Sequence, residues 1–343
     1  MSVFGSAVIG AELQETSGVV RSGDDLLMVG NEDAGTLFRY TMPDPSKRVF
    51  ALEAATARYE QIKSGAHLAR DLEDIAILAD KRVVLLSEEL SLLLDMNGNI
   101  VVDYDGPFAS FGNRGLEGVD VRPDATGQGE ALASRIAVVW EGGNPQRKKL
   151  LWGLQGLAEK KGELRPVVLT HTLKAGQTGL SVKAGMKKQK DGKPGHENFR
   201  KELKAELFEL DVPQPPDHVD QGRVYRVPAL VWKKLKVGAE TQWGFIALLS
   251  VYKKSQNIDE KRLHKFKANG KRCGKPLKLD ALFEDANKHR HASAPKAKVS
   301  WNWEGMSWFD DKRKSLVLVP DRDKDDKASA VVITPAADWL KGC

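Results

Sequence analysis

Apolar positions in this chain fall into short runs bounded by Gly, Asp and Asn, and one polar phrase recurs at their head. It reads Asp71-Leu72-Glu73-Asp74-Ile75-Ala76, Gly115-Leu116-Glu117-Gly118-Val119-Asp120 and Asn302-Trp303-Glu304-Gly305-Met306-Ser307. A weaker copy opens the chain at Glu15-Thr16-Ser17-Gly18-Val19-Val20. Each copy sets a Glu beside a small or turn-forming residue and then alternates apolar positions, which is the period of a strand. A second apolar run follows each and ends in acid, at Glu32, Glu88, Glu141 and Asp321. Recurrence of one supersecondary unit marks a repeat architecture.

The second unit is the most compact. Residues 73–78, 82–87, 91–94 and 100–103 read as four strands, with Asp80-Lys81 and Asn97-Gly98 as hairpin turns. Four antiparallel strands joined by tight turns make one propeller blade. In the first unit, residues 26–29 and 36–40 are strands and 52–68 reads as a short helix or an extended linker. The third unit begins at Glu117, carries an insertion at 124–130, and continues at 150–154 and 167–173. Strand patterns recur at 205–210, 224–227, 229–235 and 244–251 without the Glu phrase. The last unit, from Trp303, is one strand short, whereas residues 3–9 form a strand with no unit of their own. Pairing these two ends closes a ring and removes its free edges. The expectation is an all-β fold over residues 1–343, a single-domain β-propeller. It has six four-stranded blades closed by pairing of the N- and C-terminal segments. A five- or seven-bladed ring also accommodates the poorly phased middle.

Charge refines this picture. The net charge is +6, yet residues 183–204 hold eight Lys/Arg against three Asp/Glu, and residues 253–298 hold fourteen against five. Those two stretches carry +5 and +9, leaving the rest of the chain at −8. They read as basic loop insertions on an acidic body, so a uniformly basic face for nucleic acid is not expected. The two cysteines, Cys273 and Cys343, are too few for a disulfide framework. No apolar run reaches the roughly 20 residues of a bilayer span, and the first residues lack the basic region of a signal peptide. A soluble, cytoplasmic protein without a membrane partner is expected. Zinc spacings, dinucleotide fingerprints and Gly-rich phosphate loops are absent, and Ser17 and Ser87 lack a nucleophile-elbow context.

The first strand of a propeller blade lines the central channel, so Glu15, Glu73, Glu117 and Glu304 are expected to converge near one mouth. Glu32, Glu88, Glu141 and Asp321 end the neighbouring antiparallel strand and belong to the same end. Carboxylates gathered this way raise one another's pKa unless cations intervene. A hard cation such as Ca²⁺ takes six to eight oxygens, which such a ring supplies. The alternative is structural, with each Glu locking adjacent blades or pairing with Arg114, Arg135 or Arg322. His289 and His291 suit a solvated loop, and His171 suits a packed, hydrogen-bonded role. Trp301, Trp303 and Trp308 are expected between blades.

The Glu phrases resemble those of bacterial phytase-like propellers, in particular the DUF3616 proteins. These are related in style to the "esterase-like activity of phytase" and SdiA-regulated families. In alkaline phytases, similar in architecture, channel carboxylates hold Ca²⁺ ions that bind substrate phosphate. The resemblance therefore implies Glu73, Glu117 and Glu304 as metal ligands, followed by Glu15, Glu88 and Glu141, with no organic cofactor. The clustered Asp and Lys/Arg phosphate sites of true phytases are not present in this pattern, so phytate hydrolysis is not implied. Two functions follow as expectations. One is a Ca²⁺-binding hydrolase of a small phosphoester, ester or lactone, taking an anionic or ester ligand at the channel mouth. The other is a non-catalytic scaffold for a protein or polyanionic partner.

Overall fold

The structure is a computed structural model. It describes residues 2–8, 16–30, 35–41, 50–51, 58–63, 71–104, 115–123, 132–141, 165–182, 201–213, 225–253, 258–279, 303–320 and 329–343. Its strands in chain order begin with β1 (Ser2–Val8), β2 (Thr16–Ser22), β3 (Asp25–Gly30), β4 (Thr36–Thr41), β5 (Phe50–Ala51) and β6 (Arg58–Gln61). Then come β7 (Leu72–Ile77), β8 (Val83–Ser87), β9 (Leu92–Asp95), β10 (Ile100–Asp103), β11 (Leu116–Val121), β12 (Ala133–Trp140) and β13 (Val167–Lys174). They are followed by β14 (Leu180–Val182), β15 (Lys201–Leu203) and β16 (Ala205–Glu209). The fourth sheet is β17 (Arg226–Val237), β18 (Glu240–Lys253), β19 (Ile258–Lys267) and β20 (Arg272–Lys278). The chain ends with β21 (Trp303–Trp308), β22 (Leu316–Pro320), β23 (Ser329–Thr334) and a short helix α1 (Ala337–Lys341).

These strands form five sheets, so the propeller has five blades and not the expected six. Blade 1 is β2-β3-β4-β6, and blade 2 is β7-β8-β9-β10 extended by β14 and β15. Blade 3 is β11-β12-β13-β16, blade 4 is β17-β18-β19-β20, and blade 5 is β21-β22-β23-β1-β5. The expected closure holds, because β1 pairs antiparallel with β23 from Ser2↔Thr334 to Val8↔Ser329. The sixth blade disappears because the strands expected for two degenerate blades divide otherwise: 205–209 complete blade 3, and 226–237 with 240–253 belong to blade 4. Residues 180–182 and 201–203 widen blade 2 as parallel additions, so the end of the stretch 183–204 expected as a loop insertion is a strand. The stretch 52–68, expected as helix or linker, supplies the outer strand β6 of blade 1.

Each blade is buried on both faces, which explains its continuous apolar runs. In β8, Val84 and Leu86 face blade 3 while Leu85 faces blade 1. In β22, Leu316 and Leu318 face blade 4 while Val317 and Val319 face blade 1. The five seams hold five separate apolar clusters. Trp303 and Trp308 fill the seam between blades 4 and 5, as expected; Trp301 lies outside the described residues.

The five inner strands β2, β7, β11, β17 and β21 pack directly on one another around the axis. A Cβ on Gly18 would come within 2.5 Å of the Asp74 Cα, and one on Gly305 within 2.5 Å of the Ser17 carbonyl oxygen. The small residue of the repeated phrase is therefore a requirement of backbone meeting backbone, and it gives the ring the tight bore of five blades.

The second basic stretch is not a loop insertion over residues 258–278. It forms the outer hairpin of blade 4, where Leu263, Phe266 and Leu277 turn inward and exposed Lys271, Arg272, Lys275 and Lys278 turn outward. Residues 183–200 and 280–298, including His289 and His291, lie outside the described residues. The two cysteines, too few for a disulfide framework, form one disulfide that ties β20 to the segment after α1. No helix among the described residues is long and apolar enough to cross a membrane.

Candidate functional site, a carboxylate centre at the channel end

The repeated Glu sits on a β-bulge. The register of β7 with β8 shifts between Leu72 and Asp74, that of β11 with β12 between Leu116 and Gly118, and that of β21 with β22 between Trp303 and Gly305. Glu73, Glu117 and Glu304 are thus the extra residues, and a bulge re-aims such a side chain. In blade 1 the same shift falls between Thr16 and Gly18, so Ser17 occupies the position that the sequence pattern assigned to Glu15. Glu15 itself lies outside the described residues, as do Glu32 and Asp321. Glu88 and Glu141 directly follow β8 and β12, beside the bulges of their blades. Both are buried, as are Glu73 and Glu117.

These groups form one electrostatic unit. Burial raises the Glu73 carboxyl well above its usual range, and Glu117, Glu304, Glu88 and Asp71 push it further. Burial likewise raises Glu117, helped by Glu141, Glu88 and Glu304 and opposed by Arg226. Glu88 is pushed up to about 9 by burial and by Asp71 and Glu141, while the Gly115 amide hydrogen bond pulls it back. Carboxylate oxygens of Asp71, Glu73 and Glu88 all lie within 4.8 Å of one another. Glu88 is 8 % exposed, and its Oε1 is buried without a hydrogen-bond partner.

On the far side of this trio stands Arg226, at the start of β17. Its Nε donates to Glu141 Oε2, and its second guanidinium nitrogen lies 3.7 Å from Glu117 Oε1. Burial works against its charge, but Glu141 and Glu117 overcome that and hold the guanidinium more firmly protonated than usual. Arg226 was not singled out in the sequence because blade 4 carries no Glu phrase. The available signal was positional, since Arg226 occupies the register place just before the bulge of its inner strand. Of the arginines proposed as partners, Arg135 pairs instead with Glu206 at 2.6 Å on the outer strands, and Arg114 and Arg322 lie outside the described residues.

Arg226 of blade 4 thus ties to Glu141 and Glu117 of blade 3, and further blade-to-blade locks are made by other residues. Asp74 Oδ2 accepts from the Val119 amide of blade 3 at 2.7 Å, and its Oδ1 from its own neighbour Ile75 at 2.8 Å. Asp120 Oδ2 accepts from the Trp232 amide of blade 4 at 2.6 Å. Ser17 Oγ donates to the Leu72 carbonyl of blade 2, and Trp308 Nε1 donates to the Trp232 carbonyl at 3.1 Å. His171 is buried and its Nε2 meets the Tyr104 hydroxyl at 2.8 Å, the packed role expected of it.

No protein-family model and no curated protein matches the chain. Among solved structures, an endo-arabinase from Bacteroides thetaiotaomicron VPI-5482 is similar with a TM-score of 0.50 at 11 % identity, over 99 % of this chain and 100 % of that one. A luciferin-regenerating enzyme aligns with a TM-score of 0.40 at 10 % identity, over 96 % and 94 % of the two chains. An α-L-arabinanase mutant from Cellvibrio cellulosa aligns with a TM-score of 0.37 at 10 % identity, over 95 % and 92 %. The first likeness supports the propeller fold and nothing finer. The class of protein is therefore a five-bladed β-propeller with a buried carboxylate centre at one end of its axis.

Proposed function

We propose that this propeller binds a divalent cation, with Ca²⁺ the expected ion, at Asp71, Glu73 and Glu88, and hydrolyses a small ester, lactone or phosphoester beside it. The observation that carries the reading is the spacing of those three carboxylates together with the partnerless buried Oε1 of Glu88. Oxygens sharing one Ca²⁺ at about 2.3–2.6 Å lie at most about 5 Å apart, which this trio satisfies. Arg226 is engaged with Glu117 and Glu141 and leaves the trio's charge to another cation. An all-carboxylate set favours a hard ion over zinc or copper.

A bound divalent ion would polarise a carbonyl or phosphoryl oxygen and acidify a water. Glu117 borders the trio and holds its proton more tightly than an ordinary carboxyl, so it suits proton exchange with a reacting group. The hydrolase half of the proposal is compatible with a fold shared with an endo-arabinase, but it rests on the carboxylates. It also accords with the resemblance to phytase-like propellers.

The test is elemental analysis of the purified protein, thermal melting in EDTA and after Ca²⁺ is restored, and a screen of phosphoesters, esters and lactones. Stoichiometric metal and a melting point restored by Ca²⁺ are expected, both lost in Glu73→Gln. Absence of metal together with an unmoved melting point would overturn the site. Metal without turnover in the screen would leave a cation-binding scaffold as the function.

A further inference from the structure

The end of blade 4 remote from Arg226 carries a covalent contact that the carboxylate centre does not use. After β23 the chain leaves blade 5, forms α1 and lays its last residues against the far end of β17. There Lys236 and Gly342 make a parallel bridge, and the Cys343 amide donates to the Lys236 carbonyl at 3.0 Å. Leu340 is buried in the seam between blades 4 and 5, and the Trp339 indole N–H donates to the Lys275 carbonyl of β20 at 2.8 Å. The Cys273–Cys343 bond closes this contact. Cys273 is buried at 9 % exposure, whereas Cys343 is exposed.

A lysine stands beside the disulfide. Lys265 is directly opposite Cys273 in the β19–β20 ladder, and residues so placed carry their Cβ atoms about 4.5–5.5 Å apart on one face. That face is shared by Leu263, two residues earlier on β19, which packs into the seam with blade 5. A Cβ on Gly274, next to Cys273, would lie 2.9 Å from Lys265 Nζ and 3.5 Å from the Cys343 carbonyl carbon. Lys265, Cys273 and Cys343 therefore meet at one place.

The lysine is engaged with the C-terminal segment. Its Nζ donates to the Trp339 carbonyl at 2.7 Å and to the Gly342 carbonyl, and it lies 4.9 Å from the centroid of the Trp339 ring. Lys265 is buried, and burial pulls its pKa below the ordinary lysine range. The partners of its charge are thus carbonyl dipoles at the end of a five-residue helix. A helix of that length is marginal by itself, so its docking depends on the groups that fasten it to blade 4.

We propose that Cys273 and Cys343 form a redox-reactive pair whose reduction releases residues 335–343 from blade 4, with Lys265 as a positioning residue that exchanges the carbonyls of this segment for the Cys273 thiolate. The co-reactant is a small dithiol. One of its thiolates attacks the sulfur of exposed Cys343, the S–S bond breaks, and Cys273 leaves as a thiolate beside the Lys265 ammonium. The second thiol of the reductant then displaces Cys343 from the mixed disulfide. Two electrons and two protons pass to the protein, giving two thiols, and the dithiol is oxidised to its own disulfide. A neighbouring ammonium favours a thiolate both as leaving group and in the reduced state. Release of the segment frees Lys265 Nζ from both carbonyls and uncovers the apolar seat of Leu340.

The experiment reads hydrogen exchange and thiol alkylation of the full chain by mass spectrometry, before and after dithiothreitol. The untreated protein should present no alkylatable thiol and the reduced protein both. Reduction should speed exchange across residues 335–343 at least about tenfold, and reoxidation should reverse this, while β7 and β8 stay protected. Cys343→Ser should exchange there as the reduced protein does. In that background Cys273 is the single thiol, and Lys265→Met should move the midpoint of its alkylation pH profile up by about one pH unit. Lys265→Arg, which keeps the charge, should restore the profile. Free thiols in the untreated protein would overturn the proposal, as would equal exchange of residues 335–343 in the two redox states. Exchange that rises equally in β7 and β8 would mean general unfolding and not a local release. An alkylation profile unmoved by Lys265→Met would remove the lysine from the site and with it the proposed exchange of partners.

Discussion

Replacing Glu88 by Gln should stabilise the metal-free protein while removing its response to Ca²⁺. Glu88 is almost fully buried, and its carboxyl is raised from 4.5 to about 9. In the folded state it is protonated at neutral pH, whereas in the unfolded chain it is ionised. A group whose folded pKa lies above its unfolded value favours folding least at high pH. Its penalty is small near the unfolded pKa and grows until the folded pKa is reached. At pH 7 the gap between pH and the unfolded pKa amounts to about 3 kcal/mol against folding. Gln keeps the shape without that penalty but alters the hydrogen bonds to Asp71 and the Gly115 amide, a loss of about 1 kcal/mol. A net gain of about 2 kcal/mol at pH 7 in EDTA is the expected outcome. Between pH 5 and pH 8 wild type should lose about 4 kcal/mol on this group alone, a slope that the variant lacks. Urea unfolding at several pH values, with EDTA and then with Ca²⁺, reads both effects. A variant less stable than wild type in EDTA at pH 8, with a parallel pH slope, would refute the reasoning.

Three further outcomes follow from the same geometry. Arg226→Gln leaves Glu141 and Glu117 facing each other, and should cost about 2–3 kcal/mol at pH 7 once the 40 % exposure of Arg226 is allowed for. Arg226 opposes the rise of the Glu117 carboxyl, so its removal makes that carboxyl harder to ionise and the deficit should grow with pH; a pH-independent loss in urea melts would contradict this arrangement. Asp74→Asn gives up one acceptor of a blade lock but also removes a buried carboxyl that burial raises well above the usual range, so the two effects oppose and the change in stability should be the same with and without Ca²⁺; a loss that Ca²⁺ rescues would move Asp74 into the metal site. Reduction of Cys273–Cys343, which closes a separation of 70 residues, should lower stability by about 4 kcal/mol, compared in urea against C343S. Equal midpoints for the oxidised, reduced and substituted forms would mean that the bond does not constrain the unfolded chain.

The architecture was legible where turn chemistry and alternation agreed. Asn97-Gly98 and Asp80-Lys81 marked the hairpins of blade 2, and Gly98 and Lys81 do take positive φ there. The blade count was not legible, because a strand's sequence does not say which sheet it will join. The segment 205–209 has a strand pattern like any other yet joins β13, while 180–182 and 201–203, at the ends of a Lys- and Gly-rich stretch expected as a loop, add in parallel, the first to β10 and the second to the first. Basic residues hid β19 and β20 in a similar way. Their apolar positions, Leu263, Phe266 and Leu277 among them, are few beside many lysines and arginines, since the strands lie at the outer rim of a blade. The Glu phrase located the carboxylate centre but misassigned its first copy, because a bulge displaces register by one residue and Glu15 and Ser17 differ by two. Asp71 and Arg226 were missed because they precede the strand or belong to a blade without the phrase.

The phrase also separates into two jobs, and that separation bears on function. The residue after each bulge builds the ring: Gly18 and Gly305 admit a neighbouring backbone, and Asp74 bonds the amide of the next blade. Asp120, further along β11, does the same for blade 4. The glutamates beside them are not engaged in those locks. Their burial places Glu73, Glu88 and Glu117 well above the ordinary carboxylate range, which is a net penalty on folding at neutral pH. A ring held by its aspartates and glycines would be more stable with neutral side chains at these three positions. Bulges that aim acids inward at such a cost are the arrangement expected of a site selected for what it binds, and the hard divalent cation proposed above would, on binding, reverse the sign of that penalty.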